Sequence, residues 1–468
     1  MLVQKFTALF VAFLFIAPLT GQTDVVQSET ISRDSVATYL EKLSPIFETY
    51  HPNAYAYTTP KALAEVRAEI VAELPRQVDS ATAYRAFRRY VSAYGDAHTR
   101  VYDRTGANRR AFYAAKVFPL AVQLHANELT VTAAFTGEEN SHLVGRQITH
   151  VNGRPAAEVA TALTNYATRE TRSLDEVMVS QDFSHYYWLA FGGAAKYDLK
   201  LADGTTATLA GVEAKITRPT TQARRPALQL SYPQEGTAVL EIAHFNGQLK
   251  HFKQQFATIF AELNDRGITH LIIDARDHDG GDSRIGAELC RYFAAVPFQP
   301  FARSEYRVTE VMQANFKGTY LPGALGKLLP VLKPFHPHLR AIYGGELGGN
   351  NPVYIKAIKP YGGKKAFQGE VTLLTGANTF SAGTCLAAVF KDYQMGTIVG
   401  HETGNLANFH ADALVTCPLP FGQVIKISTS YLVRPNGDET ARPVQPDVAL
   451  AYGEDALQAV LQGQLARK

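Results

Sequence analysis

Three places in the sequence combine residue types that could do chemistry. Ser381 stands in the run 378–383 (NTFSAG), at the expected start of a helix and directly after the β-prone apolar run Val371 to Thr375. A hydroxyl there is pushed out at the end of the strand, and the free N–H groups of the first helical turn, that of Ala382 among them, can receive a developing oxyanion. The same position suits a serine that only caps the helix, and spacing alone does not separate the two readings. The second place is the run 274–281 (DARDHDGG), whose Gly280 and Gly281 let the backbone approach a ligand closely and turn another N–H toward it. A diglycine is also an ordinary tight turn. The third is His98 in the run 96–99 (DAHT). Histidine has an unshifted pKa near neutrality and can take a hydroxyl proton, although an isolated histidine at a helix end is readily structural. No His, Asp and Glu cluster has helical ligand spacing such as HExxH, so neither a metal nor a cofactor is expected.

The elements that must position these residues fall into three stretches. Residues 25–110 read as a helical module. Thr59 caps a helix that Pro60 opens and that Leu63, Val66, Ile70 and Leu74 continue at helical spacing. Asp79 or Ser80 opens another, holding Tyr84, Phe87, Tyr90 and Val91, and Gly95 suits the left-handed residue that ends it. Residues 111–235 change to short alternating segments broken by Gly and Asn. In 143–155 (LVGRQITHVNGRP) a strand, an Asn-Gly turn and a helix through Val159 and Leu163 follow one another.

Residues 236–455 read as α/β. Val239 to Ile242 is a strand, and Leu249, Phe252, Phe256, Ile259, Phe260 and Leu263 mark an amphipathic helix that Gly267 ends. Ile268 to Ala275 is a buried strand leading into the diglycine loop and a helix around Ile285 to Phe293. A second strand-loop-helix unit runs from Val371 through Ser381 to Tyr393, followed by the strand Thr397 to Val399. Two such units in succession predict a mostly parallel sheet with ligands beyond the carboxyl ends of its strands, where both loops lie. Between them, residues 297–368 show little periodicity and read as a lid, an insertion or an oligomer contact.

The 468 residues, 46% hydrophobic and 19% charged, have globular composition. Net charge is +3, and the 46 Lys and Arg are scattered among 43 Asp and Glu without a like-charge run, so a nucleic-acid partner is not expected. Residues 1–21 carry a charged start at Lys5, an apolar run from Thr7 to Leu19 and small residues after it, the pattern of a secretory signal peptide. That run is shorter than the roughly 20 residues of a membrane span, and no later run is long enough for one. Cys290, Cys385 and Cys417 are widely spaced and odd in number; buried free thiols are expected, with one disulfide left open.

Taken in order, these pieces resemble the serine-peptidase family that contains the C-terminal processing (tail-specific) proteases and the tricorn core protease. The resemblance spans about residues 30–450. It rests on the helical module ending in Asp96 to Thr99, a segment similar to the G-x-x-I-x-x-V-N-G of a PDZ domain, the loop Asp274 to Gly281, and Asn378 to Ala382. The strand ending Ile398 to Thr403, then Pro435 to Gly437 and Pro446 to Val448, complete the series. It implies a crotonase-like, tricorn-type α/β catalytic core with an N-terminal helical module and a PDZ-like β-rich insert.

Two departures decide the branch. The tail-specific members use a lysine base, but the corresponding stretch, Thr403 to Ala407, has no lysine, and Thr384 replaces their acidic residue three past the serine. The resemblance therefore points to the tricorn-like branch: Ser381 as nucleophile, His98 as base, Glu439 or its neighbour Asp438 as the orienting carboxylate, and Ala382 with Gly280 or Gly281 as oxyanion donors. Ala97 stands where tricorn has a serine. His278 is expected to line the site, and His401 and His410 to flank the substrate groove.

The implied activity is that of an exported, periplasmic or extracellular serine-type peptidase acting on polypeptides or peptides, with self-association left open. The rival expectations are a ligand-binding protein on the same scaffold and an esterase or amidase using the same machinery.

Overall fold

The apolar runs flanking the glycine-rich loops become neighbouring strands of one sheet. The structure is a computed structural model and describes residues 30–136, 138–217 and 225–463; the expected signal peptide at 1–21 lies outside the described residues. The chain divides into two units, each described here by itself.

The first unit takes residues 224–410 and 430–468. Its main sheet has six strands, in the spatial order Leu228–Gln234, Thr237–Ile242, His270–Asp274, Glu370–Thr375, Thr397–Gly400 and Val448–Ala449. Leu228–Gln234 is antiparallel to its neighbour and every other pairing is parallel. Parallel sheets need cover on both faces, and alternate residues supply it. Leu240, Ile242, Leu271, Ile273, Leu373 and Ile398 pack with Phe252, Phe256, Phe260, Ile285, Leu386 and Phe390 from the helices Leu249–Asp265, Ser283–Cys290 and Ala382–Asp392. Val239, Ile272, Leu374 and Val399 pack on the opposite face with Ala456 and Leu457 of the helix Ala456–Leu461. The α/β core is thus present, with the mostly parallel pairing that the two strand-loop-helix units predict.

Residues 297–368 are more regular than their weak periodicity suggests. The strand Arg303–Arg307 pairs antiparallel with Asn350–Tyr354 and Ser430–Val433, and the helices Glu310–Tyr320 and Pro337–Gly344 lie between the first two in sequence. The segment is an insertion between two adjacent strands of the main sheet.

The second unit takes residues 22–223 and 411–429. Ser32, Thr59 and Asp79 cap the helices Arg33–Tyr50, Pro60–Glu73 and Ser80–Ser92 through their side-chain oxygens. Gly95, at φ +76°, turns the chain out of the last of these. A sheet of short strands follows, in the order Thr206–Ala210, Lys196–Leu201, Gln147–Val151, Glu128–Ala134 and Leu120–His125, with Arg154–Pro155 paired to Gln147–Val151. Asn152 and Gly153 make the expected turn with positive φ at both residues. The strand Arg100–Asp103 joins a separate antiparallel sheet with Gln423–Ile427 and Val415–Pro418. The helix Ala107–Ala114 has no counterpart among the sequence expectations.

Cys290, Cys385 and Cys417 are free and buried, and burial pushes the Cys417 thiol up to about 11. Among the described residues no helix is long and apolar enough to cross a membrane.

Candidate active site

Three loops of the first unit meet at the carboxyl ends of its parallel strands, and hydrogen bonds join them. Thr379 donates from its hydroxyl to the Ala275 carbonyl at 2.7 Å, and the Phe380 N–H donates to the His278 carbonyl at 2.9 Å. The Gly404 N–H donates to the Thr379 carbonyl at 2.9 Å, and the Ser381 N–H to Oδ1 of the fully buried Asn405 at 2.6 Å.

Ser381 occupies the N-cap position of Ala382–Asp392, but its side chain makes no capping hydrogen bond and its backbone sits at φ +53°, ψ −115°. An ordinary N-cap lies in the extended region. The observed conformation costs a non-glycine residue about 1–3 kcal/mol, and such strain collects at functional sites. A strained turn from strand to helix is also how α/β-hydrolases present a nucleophile.

The diglycine is required by contact. A Cβ on Gly280 (φ +109°) would lie 2.9 Å from the Ser381 Cβ, and one on Gly281 (φ +125°) would lie 2.4 Å from the Phe245 carbonyl carbon. The two amides differ. Gly280 donates its N–H to Nδ1 of His278 at 3.1 Å, whereas no protein acceptor takes the Gly281 N–H among the described residues. The Ala382 N–H, in the first helical turn, is likewise open. Of the three expected oxyanion donors, Ala382 and Gly281 therefore have available amides and Gly280 supplies close approach.

His278 is fully buried against Phe245, with ring centroids 4.3 Å apart, and burial pushes its pKa down to about 3. A neutral ring that accepts the Gly280 N–H serves to shape the loop. His410 is buried beside Tyr431, with ring centroids 4.9 Å apart, and the His401 N–H continues the strand pairing by donating to the Thr375 carbonyl. In the stretch where a lysine base would stand, Leu406 is buried. Lys391 is paired with Asp447.

The expected carboxylates have partners within the first unit. Glu439 meets Arg303 at 2.9 Å. Asp438 accepts from the Thr440 N–H at 2.9 Å and from Arg442 at 2.7 Å, and these hydrogen bonds hold it well below the usual carboxylate range.

His98 lies in the second unit, in the turn that follows Ser80–Ser92. The Asp96 carboxylate accepts the His98 N–H at 2.9 Å and meets His51 Nε2 at 3.2 Å. Glu170 accepts the Ala97 N–H at 2.9 Å. The loop carrying Glu170 is in turn held by Asp175, which accepts the Thr168 and Arg169 N–H groups at 2.8 and 3.0 Å. One donor atom each from Asp96, His98 and Glu170 lie within 4.8 Å of one another, a spacing that would suit a cation, although the Asp96 carboxylate already serves His51 and the turn. Burial pushes the His98 pKa down to about 4, with Asp96 opposing the shift and Arg100 adding to it. The imidazole is thus neutral at pH 7 and able to accept a proton.

Sequence reasoning missed Asn405, the acceptor for the Ser381 N–H, and Glu170. Asn405 was within reach, because an asparagine in an otherwise small and apolar stretch stood where the lysine was sought. Glu170 carries no such signal, being 72 residues along the chain from His98.

Residues 236–450 match peptidase family S41. Among solved structures, mature CPAF complexed with lactacystin is similar at 14% identity over 89% of this chain and 94% of that one, with a TM-score of 0.59. Mature CPAF alone is similar at 15% identity over 89% and 93%, with a TM-score of 0.56. A photosystem II D1 C-terminal processing protease shows a looser likeness, at 18% identity over 90% and 93% with a TM-score of 0.40. No curated protein matches the chain. The CPAF likeness is one of fold, and it is residues 236–450 of this chain that match the model of peptidase family S41.

Proposed function

We propose that this chain is an exported serine peptidase that cuts polypeptides through an acyl-enzyme on Ser381. The Ser381 hydroxyl attacks the scissile carbonyl while His98 takes its proton. The oxyanion forms against the Ala382 and Gly281 N–H groups, and His98 returns the proton to the leaving amine. Water then attacks the acyl ester with His98 again as base, releasing the new carboxylate and restoring the serine. Glu439 orients the imidazole in this reading. Glu170 is a second acid for that role, favoured by its place beside His98. The sheet of residues 120–210 is assigned as the PDZ-like element, and export rests on residues 1–21.

The observation that carries the reading is the backbone of Ser381. A serine kept only as a cap would adopt an extended φ and bond the first turn; this one holds a strained positive φ, does not cap, and leaves the Ala382 N–H open beside it. The test is labelling with a fluorophosphonate, followed by digestion of a peptide library. Label on Ser381 with peptide cleavage is the expected result. Absence of label on folded protein sinks the enzyme and leaves a binding protein on the same scaffold, and label with ester but no peptide turnover leaves an esterase.

A further inference from the structure

The second unit contains a cavity of about 590 Å³ that the proposed peptidase chemistry does not use. That volume is within the range of small-ligand sites. Its wall comes from the helix Ser80–Ser92, the strand Arg100–Asp103, the helix Ala107–Ala114 with the turn before it, and Ala167, Thr168, Met178 and His185, and it presents Arg88, Arg100, Arg104 and Arg109.

The charge of that wall is unbalanced. Its one carboxylate, Asp103, already accepts the Gly106 N–H at 3.0 Å, the Asn108 N–H at 2.7 Å and the Thr105 hydroxyl at 2.9 Å. Arg88 is tied to the Tyr166 carbonyl at 2.9 Å and to the Tyr186 hydroxyl at 3.1 Å, and Arg100 donates to the Ala97 carbonyl at 2.6 Å. Arg104 and Arg109 are exposed and make no ion pair among the described residues. Four cations facing one engaged carboxylate favour a ligand with more than one negative charge.

Asn108 adds a second, independent requirement. It lines the same cavity, is only 6% exposed, and has its Oδ1 buried without a hydrogen-bond partner. Buried polar atoms are rarely left so, because the lost hydration is not recovered. An amide oxygen needs a donor, which a fully ionised anion lacks. Tyr84, Phe112 and Met178 add apolar surface suited to a short carbon skeleton.

We propose that this cavity binds a small hydroxylated polycarboxylic acid, with its carboxylates on the arginines and its hydroxyl donating to Asn108. The proposal does not depend on the roles of Ser381 and His98. The test is calorimetric titration of the full chain with malate and, as a matched acid lacking only the hydroxyl, succinate. Malate is expected to bind with a Kd below about 1 mM at low salt, and succinate about tenfold more weakly. The double substitution Arg104→Gln with Arg109→Gln, at exposed positions, is expected to weaken malate by about tenfold or more while leaving Tm unchanged. Asn108→Ala is expected to remove the preference for malate; if that variant does not fold, the two acids on the unaltered chain still read the same preference. Equal binding of malate and succinate overturns the assignment, as does indifference to the arginine substitutions. Tighter binding of inorganic phosphate, or of an acidic peptide in place of malate, overturns it too.

Discussion

Around Ser381 the backbone does the positioning, whereas around His98 the work falls to ionisable side chains. The serine is held by an N–H bond to Asn405, by a strained φ of +53° and by a glycine that must lack a side chain to let it approach. The histidine sits in a turn built on Asp96, near Glu170, with burial and Arg100 keeping it neutral. A nucleophile needs a fixed direction, and covalent geometry with close packing gives one. A base needs a chosen protonation state, and that is set by burial and charge.

The largest expected effect tests whether these two differently held groups act as one. Ser381→Ala and His98→Ala should each lower kcat by about 10³-fold or more, and the double variant should lose little beyond either alone. If His98→Ala keeps more than about a tenth of the rate on a folded chain, the histidine is structural and the comparison fails on its side.

Gly280→Ala tests the backbone side. The added Cβ meets the Ser381 Cβ at 2.9 Å in a conformation that alanine resists, so kcat should fall on the order of 10²-fold, the scale of a displaced oxyanion or nucleophile. Retention of more than about a third of kcat would show that the serine is not held by close packing.

The charged side is sharpened by two conservative changes. Glu439→Gln should lower kcat by about tenfold. Glu170→Gln should cost about threefold, because its carboxylate also holds the Ala97 N–H and the amide can still accept that bond. The reverse order would move the orienting role to Glu170.

The smallest effect is a shift in pH dependence. His98 must be neutral to accept a proton, and its pKa in the fold is pushed below the ordinary 6.5 to about 4. Activity should therefore persist as pH falls through 6 and be lost only as it approaches that lower value. The acid limb of kcat/KM, which reports the free enzyme, is expected between about 4 and 5. A limb at 6.5 or above would mean that burial does not set the state of the base.

Much of this molecule was legible in one dimension because the information is local. Continuous apolar runs such as Ile268 to Ala275 and Val371 to Thr375 specify strands buried on both faces. Thr59 with Pro60, Asp79 and Gly95 mark helix ends by capping chemistry that operates within a few residues. The order of those pieces, with the serine after one strand and the diglycine after another, was enough to read an α/β core of the peptidase kind. The tertiary structure alone decided what depends on neighbours distant in sequence. It assigned Gly280 to contact and left the Gly281 amide open, because His278 turns its ring toward one N–H and not the other. It brought Glu170 beside His98 and four arginines to one cavity wall. It also set the positive φ of Ser381, a strain that only the packed loops around Asn405 and Gly280 can sustain and that no residue type announces.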